Sequence, residues 1–190
     1  MPGWRTRAVV VVVVGVVAGC GGGGTEENRG TEPGGGGAVV TYPVPAGAVR
    51  PDEVVLRVPT TSDGDTAFTL LGLTTGVPTL IGSHAEFHAE GQFARVRMSV
   101  VNNGRSSVSF AARRHVLLDD AGGEHAVDQQ AMLVKRQPDV VDLGANVRLE
   151  YDVYYDIPAG AEPRALRVYG GPTLTDLKDA TGTEIPLGGS

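Results

Sequence analysis

The stretch that most restricts the fold runs from Val147 to Ile157, VRLEYDVYYDI. Val147, Leu149, Tyr151, Val153, Tyr155 and Ile157 fall on one side; Arg148, Glu150, Asp152, Tyr154 and Asp156 fall on the other. A period of two is the pattern of a β-strand with one apolar face, and a slip of one residue would exchange the two faces. Tyr151 and Val153 are therefore expected in a core, and Asp152 and Tyr154 on a tolerant, wet face. Phe93 to Asn102 alternates in the same way, with Ala94, Val96, Met98 and Val100 opposite Arg95, Arg97 and Ser99, and Asn102-Asn103-Gly104 supplies a turn after it. Shorter β-prone pieces lie at Thr66–Thr74, Val108–Phe110, Ala165–Tyr169 and Glu184–Leu187. Val116–Leu118 and Glu124–Val127 flank Asp119-Asp120-Ala121-Gly122-Gly123 as a hairpin would. About seven short strands at this spacing, with no convincing amphipathic helix, point to an all-β antiparallel sandwich.

The N-terminus constrains location rather than fold. Arg5 and Arg7 precede an apolar run, Ala8 to Val17, that ends in Val17-Ala18-Gly19-Cys20. A charged start, a short apolar run and small residues at the exit mark a secretory signal, and the run is well short of the roughly 20 residues that span a bilayer. The ending resembles the lipobox of bacterial lipoproteins. That resemblance implies a signal peptide over residues 1–19, cleavage before Cys20, a covalent diacylglycerol on Cys20 and an extracytoplasmic protein held at the cell membrane. Cys20 is the chain's single cysteine, so once it carries lipid no disulfide can form. Residues 20–64 read as a Gly/Pro-rich tether, disordered at least to Gly37. Val54, Leu56 and Val58 alternate within it as a short edge strand can. The folded domain is then expected over 65–190, able to fold in a chain begun near Ala38 or even near Asp65. Loss of Arg5 and Arg7 takes the formal charge from −6 to about −8. Such an acidic chain lacks the basic footprint of a nucleic-acid partner.

Three runs carry a family resemblance: GQFARVRMSVVNNG (91–104), LLDDAGGEHAVD (117–128) and LGANVRLEYDVYYDIPAG (143–160). Gly91 and Phe93 open a strand that closes in Asn102 and Gly104, Asp119 and Gly122 form a hairpin, and Tyr155-Asp156-Ile157-Pro158 ends the last strand. Together they resemble the bacterial "domain of unknown function 4352", a family related to the telokin-like mycobacterial immunoprotective antigen. The Pro-Gly usual before the last strand is Leu143-Gly144 here. The resemblance covers residues 65 to 170 and implies an immunoglobulin-like sandwich; it brings no catalytic residues.

Ser83–Glu90, SHAEFHAE, is the most suggestive stretch for chemistry. In an extended chain His84, Glu86, His88 and Glu90 share a face, and in a helix His84 and His88 lie one turn apart. Either geometry presents two imidazoles to zinc or copper; the alternative is a solvated strand face. Asp119, Asp120, Glu124 and Asp128 crowd one hairpin but lack the alternation and central glycine of a calcium loop. There is no G-x-S-x-G elbow, no free cysteine nucleophile and no phosphate-cradling glycine loop. The expectation is a lipid-anchored binding or interaction module, not an enzyme, with no cofactor beyond the lipid. A metal-binding lipoprotein using His84 and His88 is the alternative. Whether the partner is a protein or a small ligand stays open.

Overall fold

The structure, a computed structural model, describes residues 48–172 and 177–188. The chain divides into two units, Met1–Val44 and Pro45–Ser190, and everything below concerns the second. The signal peptide, Cys20 and the tether as far as residue 47 lie outside the described residues.

The strands in chain order are β1 (Val54–Val55), β2 (Thr61–Asp63), β3 (Thr66–Ile81), β4 (Glu86–Asn102), β5 (Val108–Ala111), β6 (Val116–Asp119), β7 (Glu124–Ala126), β8 (Val140–Leu143), β9 (Arg148–Ile157), β10 (Pro163–Val168) and β11 (Thr183–Pro186). A 3₁₀ turn (Ala112–Arg114) and a six-residue helix, α1 (Gln129–Val134), interrupt them. One sheet has the order β1-β3-β4-β9, with β2 also on β3; a second runs β11-β10-β6-β7; β5 and β8 form a separate ribbon. Every pairing is antiparallel. The result is an immunoglobulin-like antiparallel β-sandwich. Among the described residues no helix is long and apolar enough to cross a membrane.

The two alternating segments pair as their parity predicts. Ala94 faces Tyr155, Val96 faces Val153 and Met98 faces Tyr151 across β4 and β9, and all six side chains are buried. They join Phe68 and Leu70 of β3, Leu117 of β6, Leu166 and Val168 of β10 and Ile185 of β11 in one apolar cluster between the sheets. Each fully buried aliphatic side chain there stabilises the fold by roughly 1.5–3 kcal/mol relative to exposure. β3 carries register shifts after Leu70, Thr74 and Val77. These irregularities break its alternation, so only its first half is legible as a strand.

Two expectations need correction. The tether does not extend to residue 64: β1 and β2 pair with β3, Leu56 is in the core, and the Glu53 side chain is fully buried. Residues 48–63 belong to the fold, and a chain begun at Asp65 lacks part of its sheet. The second face of β4 and β9 is covered at its centre rather than wet: Arg97, Asp152 and Tyr154 are all more than 90 % buried, while Glu150 at its end is exposed. The segment carrying Arg50 and Glu53 supplies ion-pair partners on this face, and α1 packs against β9. The helix among the described residues, α1, is a short interruption that leaves the all-β reading intact. Asp128 caps α1, its Oδ1 accepting from the Ala131 amide at 2.8 Å. Six residues are too few to show a helical period.

Candidate functional site

Two polar sites flank the sheet formed by β3, β4 and β9, and each grows out of the alternation. On the face opposite the core, Arg97 of β4 meets Glu53 through two bonds, Nε to Oε2 at 2.8 Å and Nη2 to Oε1 at 2.5 Å, while its Nη1 reaches Glu150 of β9 at 2.8 Å. Room for the Glu53 side chain exists because residue 72, beside Arg97 in the register, is glycine; a Cβ there would lie 2.1 Å from Glu53 Cδ. Arg50 Nη1 pairs with Asp152 Oδ2 at 2.8 Å, and Arg95 Nη2 donates to Thr74 Oγ1 at 2.8 Å with Asp52 beyond it at 3.3 Å. The carboxylate of Glu53, then that of Glu150, raises the Arg97 guanidinium pKa further. Burial, reinforced by the charge of Asp152, pushes the Tyr154 phenol up. With both ends of Arg97 occupied, this network ties residues 50–53 to the sheet; within it Asp152 Oδ1 and Arg95 Nε are buried without a partner.

The second site lies where β4 outruns β9. Pairing between the two strands stops at Gln92 and Ile157, and Pro158 leads the chain away. Asp156 then turns its carboxylate onto β4: Oδ2 accepts from the Glu90 amide at 2.6 Å and Oδ1 from the Gly91 amide at 3.1 Å. Gln92 Nε2 holds the departing turn by donating to the carbonyls of Pro158 (3.1 Å) and Ala161 (3.0 Å). Gly91 is needed at this crossing, since a Cβ there would sit 2.2 Å from the Ile157 carbonyl oxygen. Beside these residues opens a cleft of about 640 Å³, lined among others by Phe87, His88, Glu90, Asp128, Asp156 and Ala159. A smaller groove of about 260 Å³ lies nearer the end of β3, with Val77, Leu80 and Phe93 in its wall and Lys135 and Tyr154 at its polar positions.

The histidine stretch is only partly as the sequence suggests. Glu86, His88 and Glu90 are exposed on one face of β4, with Phe87 and Ala89 half-buried on the other. His84 instead sits in the turn between β3 and β4, closed by Gly82 N–H donating to the Ala85 carbonyl at 2.9 Å. The Nδ1 of His88 lies 2.8 Å from Thr79 Oγ1 on the neighbouring strand. Among the described residues no three His, Cys, Asp or Glu side chains are grouped to hold a metal ion. Cys20 lies outside the described residues.

The acidic hairpin has structural partners instead. Asp119 accepts from the Gly123 amide at 2.6 Å and contacts His125 Nε2 at 2.8 Å; His125 first, then the amide, hold its carboxyl below the usual range. Glu124 pairs with Arg167 at 3.0 Å, and Asp128 caps α1. The sequence pattern contained Gly91, Asp156 and Pro158 as strand and turn signals, but not the contact between Asp156 and β4. That contact spans 65 and 66 residues of chain, beyond any local period.

No family model matches the chain, so the resemblance to the domain of unknown function 4352 gains no support there. No curated protein matches either. The crystal structure of the yjhA protein from Bacillus subtilis is similar over 71 % of this chain and 100 % of its own, with 15 % identity and a TM-score of 0.54. At that identity the likeness concerns the fold. The secreted protein MPT63 from Mycobacterium tuberculosis aligns over 59 % of this chain and 83 % of its own, with 14 % identity and a TM-score of 0.37. A conserved protein from Bacillus anthracis aligns over 70 % and 97 %, with 10 % identity and a TM-score of 0.40.

Proposed function

We propose that the chain is a lipid-anchored, extracytoplasmic binding module without catalytic activity, and that it binds through the cleft at the end of β9. The observation that carries the binding role is the 640 Å³ cleft, which lies on a rigid sheet against a strand with one unpaired edge. The ion pairs that occupy Arg97 and Glu53 and the helix cap made by Asp128 support a non-catalytic reading. Anchoring rests on Val17-Ala18-Gly19-Cys20, whose cysteine would take the lipid. Two acyl chains hold a protein stably at a bilayer where one does so only marginally.

The test is fractionation of bacteria expressing the chain and its Cys20→Ser variant, with mass spectrometry of the N-terminal peptide. The chain should stay with membranes after a carbonate wash and carry a diacylglycerol on Cys20; the variant should be released or remain unprocessed. A Cys20→Ser protein that is normally processed and still membrane-bound would defeat the anchoring. A photocrosslinker at Ala159 in the cleft should give discrete adducts that the same group at exposed Arg105 does not; identical patterns would defeat the binding role.

A further inference from the structure

The edge of β4 beside the cleft is built differently from the rest of the sheet. Glu86, Phe87 and His88 are paired on one side only, with Ile81 facing Glu86, Leu80 facing Phe87 and Thr79 facing His88, because β9 ends at Ile157. The Glu90 amide points away from β3, since it reaches Asp156. The register is irregular between His88 and Phe93, so the phase of the edge is read from its other end. The Gly82 amide donates to the Ala85 carbonyl at 2.9 Å, which makes 82 and 85 a bonded pair. In an antiparallel ladder the alternate pairs Ile81–Glu86 and Thr79–His88 then turn the backbone groups of Glu86 and His88 away from β3, toward the place β9 vacates. Asp156 satisfies the Glu90 and Gly91 amides and so marks where the free edge begins. Edge strands with unpaired groups of this kind are templates for another strand.

The flanking chemistry selects the occupant. Glu86 and Glu90 are exposed on one face of the edge, Asp128 and Asp156 lie in the cleft, and no lysine or arginine lines it. On the other face, Phe87 and Ala89 are half-buried and packed against the apolar core. A second copy of this chain would bring the same carboxylates against each other, which disfavours edge-to-edge dimers. We propose that an extended peptide segment with alternating cationic and apolar side chains adds to β4 along Glu86–Glu90, in the position β9 leaves. Its backbone pairs with the outward groups of Glu86 and His88. Its lysines or arginines face Glu86 and Glu90, and its apolar side chains face Phe87 and Ala89. This rests on the binding role proposed above.

The probes are two acetylated octapeptides, alternating Lys-Val and alternating Glu-Val, titrated into the full chain in detergent and followed by calorimetry and amide hydrogen exchange. The Lys-Val peptide should bind at least about tenfold more tightly, with the preference weakening in salt. It should also slow exchange at Glu86 and His88, leaving Gly123 unchanged. The double variant Glu86→Lys/Glu90→Lys, whose side chains are exposed, should fold as the parent does and reverse the preference. Methylating alternate amides of the Lys-Val peptide should abolish binding. Equal binding of the two octapeptides, binding without protection at Glu86 and His88, or protection of those amides by self-association alone would each overturn the proposal. If the Lys-Val peptide fails while Cys20→Ser still frees the chain from membranes, the anchor stands and strand addition falls.

Discussion

His115 shows how much one side chain can set. It is fully buried between Phe68, 5.7 Å away and edge-on, and Phe110, 5.2 Å away, and its Nδ1 accepts from the Tyr169 amide at 3.2 Å. Nδ1 is therefore the unprotonated nitrogen, and Nε2 carries the proton among aromatic rings with no conventional acceptor. Burial first, and then the charge of Arg114, lowers the His115 pKa to about 3, against a smaller opposing pull from Asp63. The sign follows from proton linkage. Below the ordinary histidine pKa of about 6.5 the unfolded chain binds a proton that the folded chain refuses, so stability falls as pH drops from about 6.5 toward 3. Urea melts between pH 7 and pH 5, above the range of ordinary carboxylates, should show this slope. His115→Asn keeps an acceptor for the Tyr169 amide and should be less stable at pH 7 but flatter across that interval. An unchanged slope would assign the effect to other groups.

At the scale of elements, β9 separates what the sequence reveals from what it conceals. The apolar parity of Val147–Ile157 correctly places Tyr151, Val153, Tyr155 and Ile157 in the core. Parity says which face is more apolar; it does not say whether the other face is covered. Asp152 and Tyr154 are covered because Arg50 reaches Asp152 from 102 residues away and α1 packs beside them. Neither contact leaves a periodic trace. Asp128 was the sole local signal for α1, and the bulges of β3 hide its second half. Val153→Ala should still cost about 1–3 kcal/mol, through lost transfer free energy and a residual cavity. Asp152→Asn is no longer expected to behave as a surface change. It weakens a charge-assisted bond to a half-exposed arginine and should cost about 1–2 kcal/mol, beyond the roughly 0.5 kcal/mol typical of open surface. Paired urea melts decide; an Asp152→Asn loss under about 0.5 kcal/mol would mean that Arg50 does not hold Asp152 in solution.

At the scale of the whole molecule, the segment before β3 joins the sandwich through charge as well as apolar contact. The Glu53 side chain is fully buried, the Arg97 side chain is 4 % exposed, and Asp63 accepts from the Gly170 amide and from Thr183 Oγ1 at 2.8 and 2.7 Å. Starting the chain at residue 65 removes Glu53, Leu56 and Asp63 together. Glu150 remains on Arg97, but the two bonds to Glu53 are lost and the guanidinium stays in a largely dry site. Breaking a buried pair from one side costs about 3–5 kcal/mol because a charge is left without its partner. Relative to a chain starting at residue 48, the shorter chain should therefore unfold at markedly lower urea. Arg97→Met separates the causes. In the longer chain it strands Glu53 and should destabilise, whereas in the shorter chain it removes the stranded cation and should recover part of the loss. If Arg97→Met destabilises both chains equally, the segment contributes through its apolar contacts and strand pairing alone.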